Sequence, residues 1–347
     1  MELTEHLLLI VPILLIFITF AAYGSYAERR VAAAFQQRVG PNRVGPFGLL
    51  QPLADVLKLL IKEDMTPKAA DKLLHFLAPV ISVATTVLVL AVIPFGKVGE
   101  DFIVIADVNI GMLYLLAVTS VTVYGITLAG WASNSKYSLL GGLRASAQMI
   151  SYELPLGIAV VSVILLTSVR MEADADILSI TSIVEAQRGA WNFIVNPLGF
   201  IIFFVCILAE TGRTPFDLLE AEQELVGGFH TEYSSMKFGT FMLVEFLHLV
   251  IPPAVITTLF LGGYLGPFEG LLGVAEWGPA WQVLWGIGWF SVKMFSIAFV
   301  FMWIRWTLPR FKYNQLMDLG WKRLLPLALF NLVLVAIGAA LYQQFFA

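Results

Sequence analysis

Charged residues are scarce in this chain. They make up 13% of its 347 residues, while hydrophobic residues make up 59%; soluble domains carry roughly 25% charged residues. A soluble chain of this length needs a far more polar surface, so the composition favours a protein whose solvent is largely lipid. The net charge of −4 comes without any dense block of Lys and Arg, which argues against nucleic acid as a partner.

Cysteine is scarcer still, since Cys206 is the only one. A single thiol excludes an internal disulfide, and it excludes a zinc or iron–sulfur site whose cysteine ligands all come from this chain. We therefore predict no metal site and no complete active site in this chain. If electrons pass nearby, a partner subunit carries them.

Long apolar runs dominate the sequence instead. Eight of them are long enough to cross about 30 Å of hydrocarbon as helices. We predict an all-α integral membrane protein with eight transmembrane helices, forming a single membrane domain over residues 1–347. The predicted spans lie near 7–27, 75–95, 110–130, 148–168, 194–211, 238–262, 283–304 and 324–345.

Most basic residues fall in alternate loops. Of the 21 Lys and Arg, 17 lie in the connections after the first, third, fifth and seventh spans. The positive-inside rule then places these loops in the cytoplasm and both termini on the outer, periplasmic side. We predict a multi-pass protein of a bacterial inner membrane, with an organellar inner membrane as the alternative.

The first basic loop holds a segment of a different kind. Its two Gly-Pro pairs forbid a continuous helix, and an amphipathic helix is predicted at about 47–62. This helix is too short and too charged to span, so it should lie in the membrane interface. It is either a plain surface helix or one wall of a slot for a lipid-like molecule, with Asp55 and Lys58 lining a cavity. Its apolar face holds Leu49, Leu53, Val56, Leu57 and Leu60, and its polar stripe holds Gln51, Asp55, Lys58 and Lys62.

Acidic residues concentrate between residues 209 and 224. Within this segment, residues 214–217 have the pattern of a helix start, with threonine as the N-cap, proline at the first helical position and an acid at the third. The segment is either a solvated acidic helix or a carboxylate cluster with a chemical task.

Ionisable residues also fall inside predicted spans. Glu153, Glu245, His248 and Lys293 are the clearest, and Glu210 lies at a span end. Each charge at a helix centre costs roughly 3 kcal/mol on insertion scales. These residues are therefore either structural ion partners or parts of a proton path through a hydrated interior.

Two long segments resemble a known family. GLLQPLADVLKLLIKE (48–63) and PFDLLEAEQELVGG (215–228) are similar, nearly position for position, to the signature segments of membrane subunit 1 of respiratory complex I, the NADH–quinone oxidoreductase of bacteria. The likeness continues through AERR (27–30), QRVGPNRVGP (37–46), WASNSKYSLLGGLRASAQMISYE (131–153), AETGRTPFD (209–217) and WIRWTLPRFKYNQLM (303–317). Two positions depart from the family pattern: Leu219 replaces a small residue, and Asn314 replaces Asp.

The resemblance implies a membrane subunit of a proton-translocating NADH:quinone oxidoreductase. Such a subunit forms part of the chamber that binds ubiquinone or menaquinone. It also holds the start of a buried acid chain that couples quinone reduction to proton translocation. Quinone is then a substrate, while the iron–sulfur clusters and FMN belong to partner subunits. The implied partners are the quinone-proximal iron–sulfur subunit, hydrophilic connecting subunits and adjacent small membrane subunits.

The site residues follow from the resemblance together with the charge pattern. For quinone binding we predict Glu28, Arg29, Arg38, Asp55, Lys58, Arg213, Phe216 and Asp217. For the proton path we predict Glu153, Glu210, Asp217, Glu220, Glu222, Glu224 and Glu245. The supporting basic residues are Arg144, Lys293 and Arg305.

Two other functions remain open. The membrane subunit of a related proton-pumping hydrogenase would share the fold without a quinone, and hydrogen evolution by the assembly would identify it. A stand-alone ion carrier would use the same intramembrane acids, and transport by this chain alone would identify it.

Overall fold

The protein is predominantly helical and contains several helices of membrane-spanning length. The computed structural model describes residues 3–99, 101–171, 175–218, 225–267, 269, 273–274 and 277–346. Within these residues, seven helices are long and apolar enough to cross a membrane, which confirms the predicted multi-pass helical class. These helices cover Ile10–Phe35, Lys72–Val92, Gly111–Ala132, Lys136–Arg170, Ser235–Phe260, Pro279–Thr307 and Tyr313–Phe345.

A further apolar helix, Pro197–Glu210, lies where the fifth span is predicted. Its 14 residues rise about 21 Å, which is less than the hydrocarbon thickness of a bilayer. The predicted total of eight spans therefore stays a prediction at this helix.

We number the α-helices of the described residues in chain order. They are α1 (Leu3–Phe35), α2 (Gln51–Ile61), α3 (Lys72–Leu88), α4 (Gly111–Ala132), α5 (Lys136–Arg170), α6 (Ile180–Glu185), α7 (Asn192–Val195), α8 (Pro197–Glu210), α9 (Ser235–Leu247), α10 (Ile251–Phe260), α11 (Pro279–Thr307), α12 (Tyr313–Asp318) and α13 (Leu325–Phe346).

The loops gather at two opposite ends of the helices. At the first, which we call the basic end, the Asp71 N–H donates to the Ala132 carbonyl and the Phe311 N–H to the Pro215 carbonyl. At the second, the far end, the Met112 N–H donates to the Leu178 carbonyl. The basic end holds the loops that carry most of the Lys and Arg, as their alternation in the sequence requires.

Two helices extend beyond their predicted spans. Helix α1 continues to Phe35, and α5 begins at Lys136 rather than near residue 148. Small residues let the extra turns of α5 pack closely against the loop near Gly228. At Gly141, for example, a Cβ would lie only 2.8 Å from the backbone carbon of Gly228. The apolar pattern marks only the part of a helix inside hydrocarbon, whereas these turns are held by packing at the basic end.

The sixth predicted span is interrupted. Helix α9 ends at Leu247 and α10 begins at Ile251, so His248 lies at the break. Pro252 and Pro253 follow at once; neither has an N–H to donate to the preceding turn. The interruption places the imidazole of His248 among the polar groups of the site described below.

The amphipathic helix is shorter than predicted. It begins at Gln51 rather than near residue 47, because Phe47 and Gly48 have φ of 56° and 82°, which no right-handed helix contains. The predicted apolar face is confirmed as an exposed surface. The exposed fractions are 42% for Leu49, 57% for Leu53, 44% for Val56, 49% for Leu57 and 57% for Leu60.

One element is absent from the sequence prediction. An antiparallel hairpin of β1 (Gly96–Val98) and β2 (Asp101–Ile103) lies at the far end, with Lys97 opposite Phe102. The strands are three residues each, too short to show an alternating pattern.

Candidate functional site

Four charged side chains form a closed ring of ion pairs at the basic end. Arg213 Nη1 lies 3.1 Å from Glu28 Oε2, and Arg213 Nη2 lies 3.5 Å from Glu245 Oε1. Arg305 Nη1 lies 2.6 Å from Glu28 Oε1 and 3.0 Å from Glu245 Oε1. Each carboxylate thus contacts both guanidinium groups. We call these four side chains the ion ring.

The ion ring is largely buried and electrically balanced. The side chains of Arg213 and Glu28 are 2% and 6% exposed, and those of Glu245 and Arg305 are 19% and 25% exposed. Two positive and two negative charges cancel, which reduces the free-energy cost of taking them out of water. Buried ion pairs of this kind add little net stability, yet loss of one member is costly. The ring therefore keeps two carboxylates and two guanidinium groups at fixed positions in the fold.

Segments distant in the sequence supply the four members. Glu28 comes from α1, Arg213 from the turn after α8, Glu245 from α9 and Arg305 from α11. Arg213 Nη2 also donates to the backbone carbonyl of Glu245 at 2.9 Å. Their approach is a result of tertiary structure, and no local spacing in the sequence indicates it.

The predicted helix start at Thr214 is wrong. Residues 211–218 form turns and bends, with a cis peptide between Thr214 and Pro215. Tertiary hydrogen bonds replace a helical pattern here: the Thr214 hydroxyl donates to the Arg305 carbonyl at 3.1 Å, and the Phe311 N–H donates to the Pro215 carbonyl at 3.0 Å. The segment is fitted around α11 and the chain that follows it.

A small cavity borders the ion ring. Its volume is about 90 Å³, and its lining includes Arg213, Asp217, Glu245, His248 and Glu210. Ligand pockets usually occupy roughly 300–1,000 Å³, whereas a water molecule needs about 30 Å³ in the liquid. The size and the polar lining suit a few water molecules rather than an organic substrate.

A second cavity continues from the first. Its volume is about 50 Å³, and it reaches toward Thr86, Leu156 and Val255. The two cavities share Thr122, Met149, Glu210, Thr211 and His248 in their linings. Glu210 therefore lies at the meeting point of a charged cavity and a mostly apolar one.

Hydroxyl groups continue the polar row into α4. Glu153 accepts a short hydrogen bond from the Ser120 hydroxyl, and the Thr122 hydroxyl donates to that of Thr85 at 3.1 Å. Thr119 and Thr122 line the second cavity. These hydroxyls are absent from the predicted proton path, although three of them fall within four residues of an otherwise apolar span.

His230 lies near the ion ring but outside the spans, in the loop before α9. Burial lowers the pKa of His230 to about 4, and the Glu245 carboxylate offsets this only in part. The imidazole is therefore neutral at pH 7 and adds no positive charge to the balanced ring.

Apart from Arg38, the charged residues predicted for quinone binding divide into two groups. Glu28, Arg213 and Asp217 belong to the ring or its cavity. Arg29 instead turns toward α2, where its Nη1 lies 2.7 Å from Asp55 Oδ2, and Lys58 lies 3.8 Å from Asp55 Oδ1. This second group borders the exposed apolar face of α2.

The remaining predicted residues lie elsewhere. Phe216 is buried between Tyr152 and Phe311, with ring centroids 5.6 and 5.5 Å away. Arg38 is exposed and donates to the Gln36 side chain at 2.7 Å, and Arg144 is half-buried in α5. Glu220, Glu222 and Glu224 lie outside the described residues.

Lys293 does not join the acids. It lies near the far end, where its ammonium donates to the carbonyls of Leu261, Gly263 and Leu265 at 2.7, 2.9 and 2.5 Å. The ammonium also lies 4.5 Å from the centre of the Trp191 ring. These contacts fix the chain after α10, so Lys293 has the surroundings of a structural residue.

Among the described residues, no group of three His, Cys, Asp or Glu side chains has the arrangement of a metal site. Carboxylates here face guanidinium groups or hydroxyls instead. The chemistry that this arrangement supports is proton exchange and charge compensation.

Comparison with known proteins gives the family. A family model described as NADH dehydrogenase matches residues 8–336. NADH-quinone oxidoreductase subunit 8 of Rhodothermus marinus is 55% identical over 326 residues, 92% of each chain. An NADH-quinone oxidoreductase subunit of Salinibacter ruber is 51% identical, over 91% of each chain, and one of Rickettsia typhi is 49% identical, over 96% of this chain and 93% of that one. The chain therefore belongs to the NADH dehydrogenase family, as its resemblance to the complex I subunit predicted, and is a subunit of an oxidoreductase.

Proposed function

We propose that this chain couples quinone reduction to proton movement within an NADH–quinone oxidoreductase of the bacterial inner membrane. In this proposal it forms part of the wall of the quinone site at the basic end, which faces the cytoplasm. It also carries the first section of a proton path into the membrane. The observation that carries the proposal is the meeting of the two cavities at Glu210, with the ion ring on one side and hydroxyl groups on the other.

The exposed face of α2 supports the quinone part. A quinone has an apolar tail and a polar head, so its site needs an apolar surface that ends in charged or hydrogen-bonding groups. The exposed leucines of α2 and the Arg29–Asp55 ion pair provide this combination. The cavity of about 90 Å³ is too small for the head group, so the quinone lies outside it, between this chain and a partner subunit.

The ion ring supports the coupling part. Reduction of the quinone adds negative charge near a set of groups whose own charges are balanced. A unit charge roughly 10 Å away, at an effective dielectric constant of about 20, changes a protonation free energy by about 1.7 kcal/mol, or about 15-fold in the equilibrium. A change of this size is enough to protonate a neighbouring carboxylate, and linked titration then spreads the change to the next ionisable groups.

Glu210 is the carboxylate best placed to pass such a proton on. It lines both cavities, and the row beyond it contains Thr122, Thr119 and the Ser120–Glu153 pair. Asp217 and Glu245 line only the cavity that borders the ion ring. The acid chain of the proposal therefore runs from Asp217 and Glu245 through Glu210 to Glu153.

The test compares Glu210→Gln with Asp64→Asn in the assembled complex. Glutamine keeps the size of the side chain and removes the exchangeable proton, so we expect protons pumped per NADH oxidised to fall at least fivefold. Asp64 is a carboxylate at the same end, paired with Lys237 at 2.9 Å and about half exposed. It lies outside both cavities, so its variant should keep the normal ratio.

Pumping is measured in inverted membrane vesicles, with NADH oxidation followed in parallel and an uncoupler added at the end. A Glu210→Gln complex that pumps with the normal ratio contradicts the proton path. A complex that evolves hydrogen rather than reducing a quinone contradicts the quinone site.

A further inference from the structure

A groove lies on the surface between α5, α8 and α13, beside the C-terminal end of α5. Its volume is about 530 Å³. Apolar side chains form most of its wall, including Leu166, Val169, Leu198, Leu334 and Val335. Gly338 leaves the wall open, since a Cβ built there would meet no atom within 4 Å.

The groove ends in polar groups at the far end of the helices. Arg170 is the last residue of α5, and Tyr342 lies near the end of α13; both line the groove. Asn196 and Asn331 also line it, and each donates to the Ser162 hydroxyl, at 2.9 and 3.4 Å. These two bonds join α5, α8 and α13 and keep the walls of the groove in register.

The guanidinium of Arg170 is only partly used by the protein. Its Nη1 donates to the carbonyls of Ala186 and Ala190 and to Asn192 Oδ1 at 3.3, 3.0 and 3.1 Å. Among the described residues, no hydrogen bond uses its Nε or Nη2. These two N–H groups form one edge of the guanidinium, the edge that binds a phosphate through two parallel hydrogen bonds.

The shape of the groove selects the kind of occupant. Its lining extends from Asn331 to Tyr342 along α13, which is a rise of about 16 Å. An extended acyl chain suits an apolar groove of this length, and the charged group of Arg170 at its end suits a polar head group.

We propose that the groove is a binding site for one phospholipid with an anionic head group. An acyl chain lies along Leu166, Leu334 and Gly338, and the phosphate accepts hydrogen bonds from Nε and Nη2 of Arg170. The positive charge of Arg170 favours a head group with net negative charge over a zwitterionic one. The inference does not depend on the proposed function, because the groove shares no residue with the two cavities or the ion ring.

The test uses photoreactive lipids on the purified, delipidated complex. Phosphatidylglycerol and phosphatidylcholine are supplied with the same diazirine-bearing acyl chain, and labelled peptides are identified by mass spectrometry. We expect peptides of α5 and α13 to be labelled at least threefold more strongly by phosphatidylglycerol. Equal labelling by the two lipids contradicts recognition of the head group.

Three variants separate the two halves of the site. Gly338→Leu should fill the groove and reduce labelling by both lipids. Arg170→Gln should remove the preference for phosphatidylglycerol and leave labelling by phosphatidylcholine unchanged. Gly157→Leu is the matched control, since Gly157 is a helical glycine in α5 that also has open space at its Cβ position and lies outside this groove. Unchanged labelling in Gly338→Leu overturns the proposal.

A partner subunit is the competing occupant. A photoreactive amino acid at Leu334, which is 47% exposed, identifies what covers the groove in the intact complex. We expect added mass from lipid. A crosslink to another subunit overturns the proposal.

Discussion

At the scale of residues, neighbours in the sequence have opposite environments. Glu28 is 5% exposed and belongs to the ion ring, whereas the side chain of Arg29 is 45% exposed and pairs with Asp55. Successive residues of a helix point about 100° apart, so one faces the protein interior and the next faces α2. Two adjacent residues of α1 therefore belong to different features: Glu28 to the ion ring, and Arg29 to the ion pair beside the exposed apolar face of α2.

This contrast predicts different costs for two conservative substitutions. Glu28→Gln leaves the buried guanidinium of Arg213 and the partly buried one of Arg305 with one carboxylate between them, and we expect a loss of about 3 kcal/mol in stability. Arg29→Gln removes an exposed ion pair and should cost about 1 kcal/mol or less. The measurement is the thermal inactivation midpoint of the purified complex at a fixed scan rate. Equal shifts for the two variants would mean that the ion ring is not buried as described.

The far end has its own charged cluster, built around Glu185. This carboxylate accepts hydrogen bonds from Arg188 and Tyr264, and Lys97 lies 3.2 Å away. Burial by itself would raise the pKa of Glu185, but these partners outweigh burial and lower the pKa to about 2 from an ordinary value of 4.5. The folded state therefore favours the ionised form.

Glu185 accordingly contributes stability that depends on pH. Its folded pKa lies below its unfolded value, so the contribution is present at pH 7 and is lost as pH falls from about 4.5 toward 2. Glu185→Gln should lower stability at pH 7 by on the order of 1–2 kcal/mol, because solvent screens this partly exposed cluster, and the difference from wild type should shrink below pH 4.5. Thermal midpoints between pH 7 and pH 3.5 measure this, with the exposed Asp101→Asn as the control. A difference that stays constant with pH contradicts the role of the charge.

At the scale of elements, the turn before α2 decides where the amphipathic helix lies. Gly48 has φ of 82°, and a Cβ there would lie 2.3 Å from the Pro41 carbonyl oxygen. The Phe47 carbonyl accepts hydrogen bonds from Tyr26 and Arg30, both at 2.7 Å. These contacts attach the start of α2 to α1, close to the Arg29–Asp55 pair.

Gly48→Ala tests this attachment against a glycine of similar conformation. Both Gly48 and Gly99 have positive φ, so alanine costs about 1 kcal/mol of backbone strain at either position. Only at position 48 does the alanine Cβ also clash with backbone atoms, since nothing lies within 4 Å of a Cβ at Gly99. We expect Gly48→Ala to raise the apparent KM for a short-chain quinone at least threefold and Gly99→Ala to leave it unchanged. An unchanged KM in both variants means that the position of α2 does not matter to the quinone.

At the scale of the whole molecule, the alternation of basic loops and the paths of the helices agree. Helices that leave the basic end reach the far end, and the long apolar helices account for the predicted spans except at the short helix α8. Which end faces the cytoplasm remains a prediction from the positive-inside rule.

Cysteine accessibility tests the orientation directly. Cys206 is fully buried, so an impermeant maleimide should label only an introduced cysteine. We expect Lys68→Cys, at the basic end, to be labelled in inverted vesicles and Asp176→Cys, at the far end, to be labelled in right-side-out vesicles. The reverse result places the ion ring on the outer side and removes the basis of the proposed function.

The residue pattern alone was enough to predict the class of the protein, the approximate spans, the apolar face of α2 and the family. Each of these depends on patterns within one segment, or on the count of charges in each loop, and both are visible in a linear sequence. It also indicated that Glu153, Glu210, Glu245 and His248 are unusual, because a charge inside an apolar run is costly wherever the run packs.

Which of these groups meet depends on how the helices pack against one another. The ion ring joins residues 28, 213, 245 and 305, and no local pattern pairs positions so far apart. The fold also separates Lys293 from the acids and replaces the predicted helix start at Thr214 with a turn bonded to Arg305 and Phe311. Pairing of buried charges depends on distances between helices, and these distances are set by side-chain packing across the whole fold.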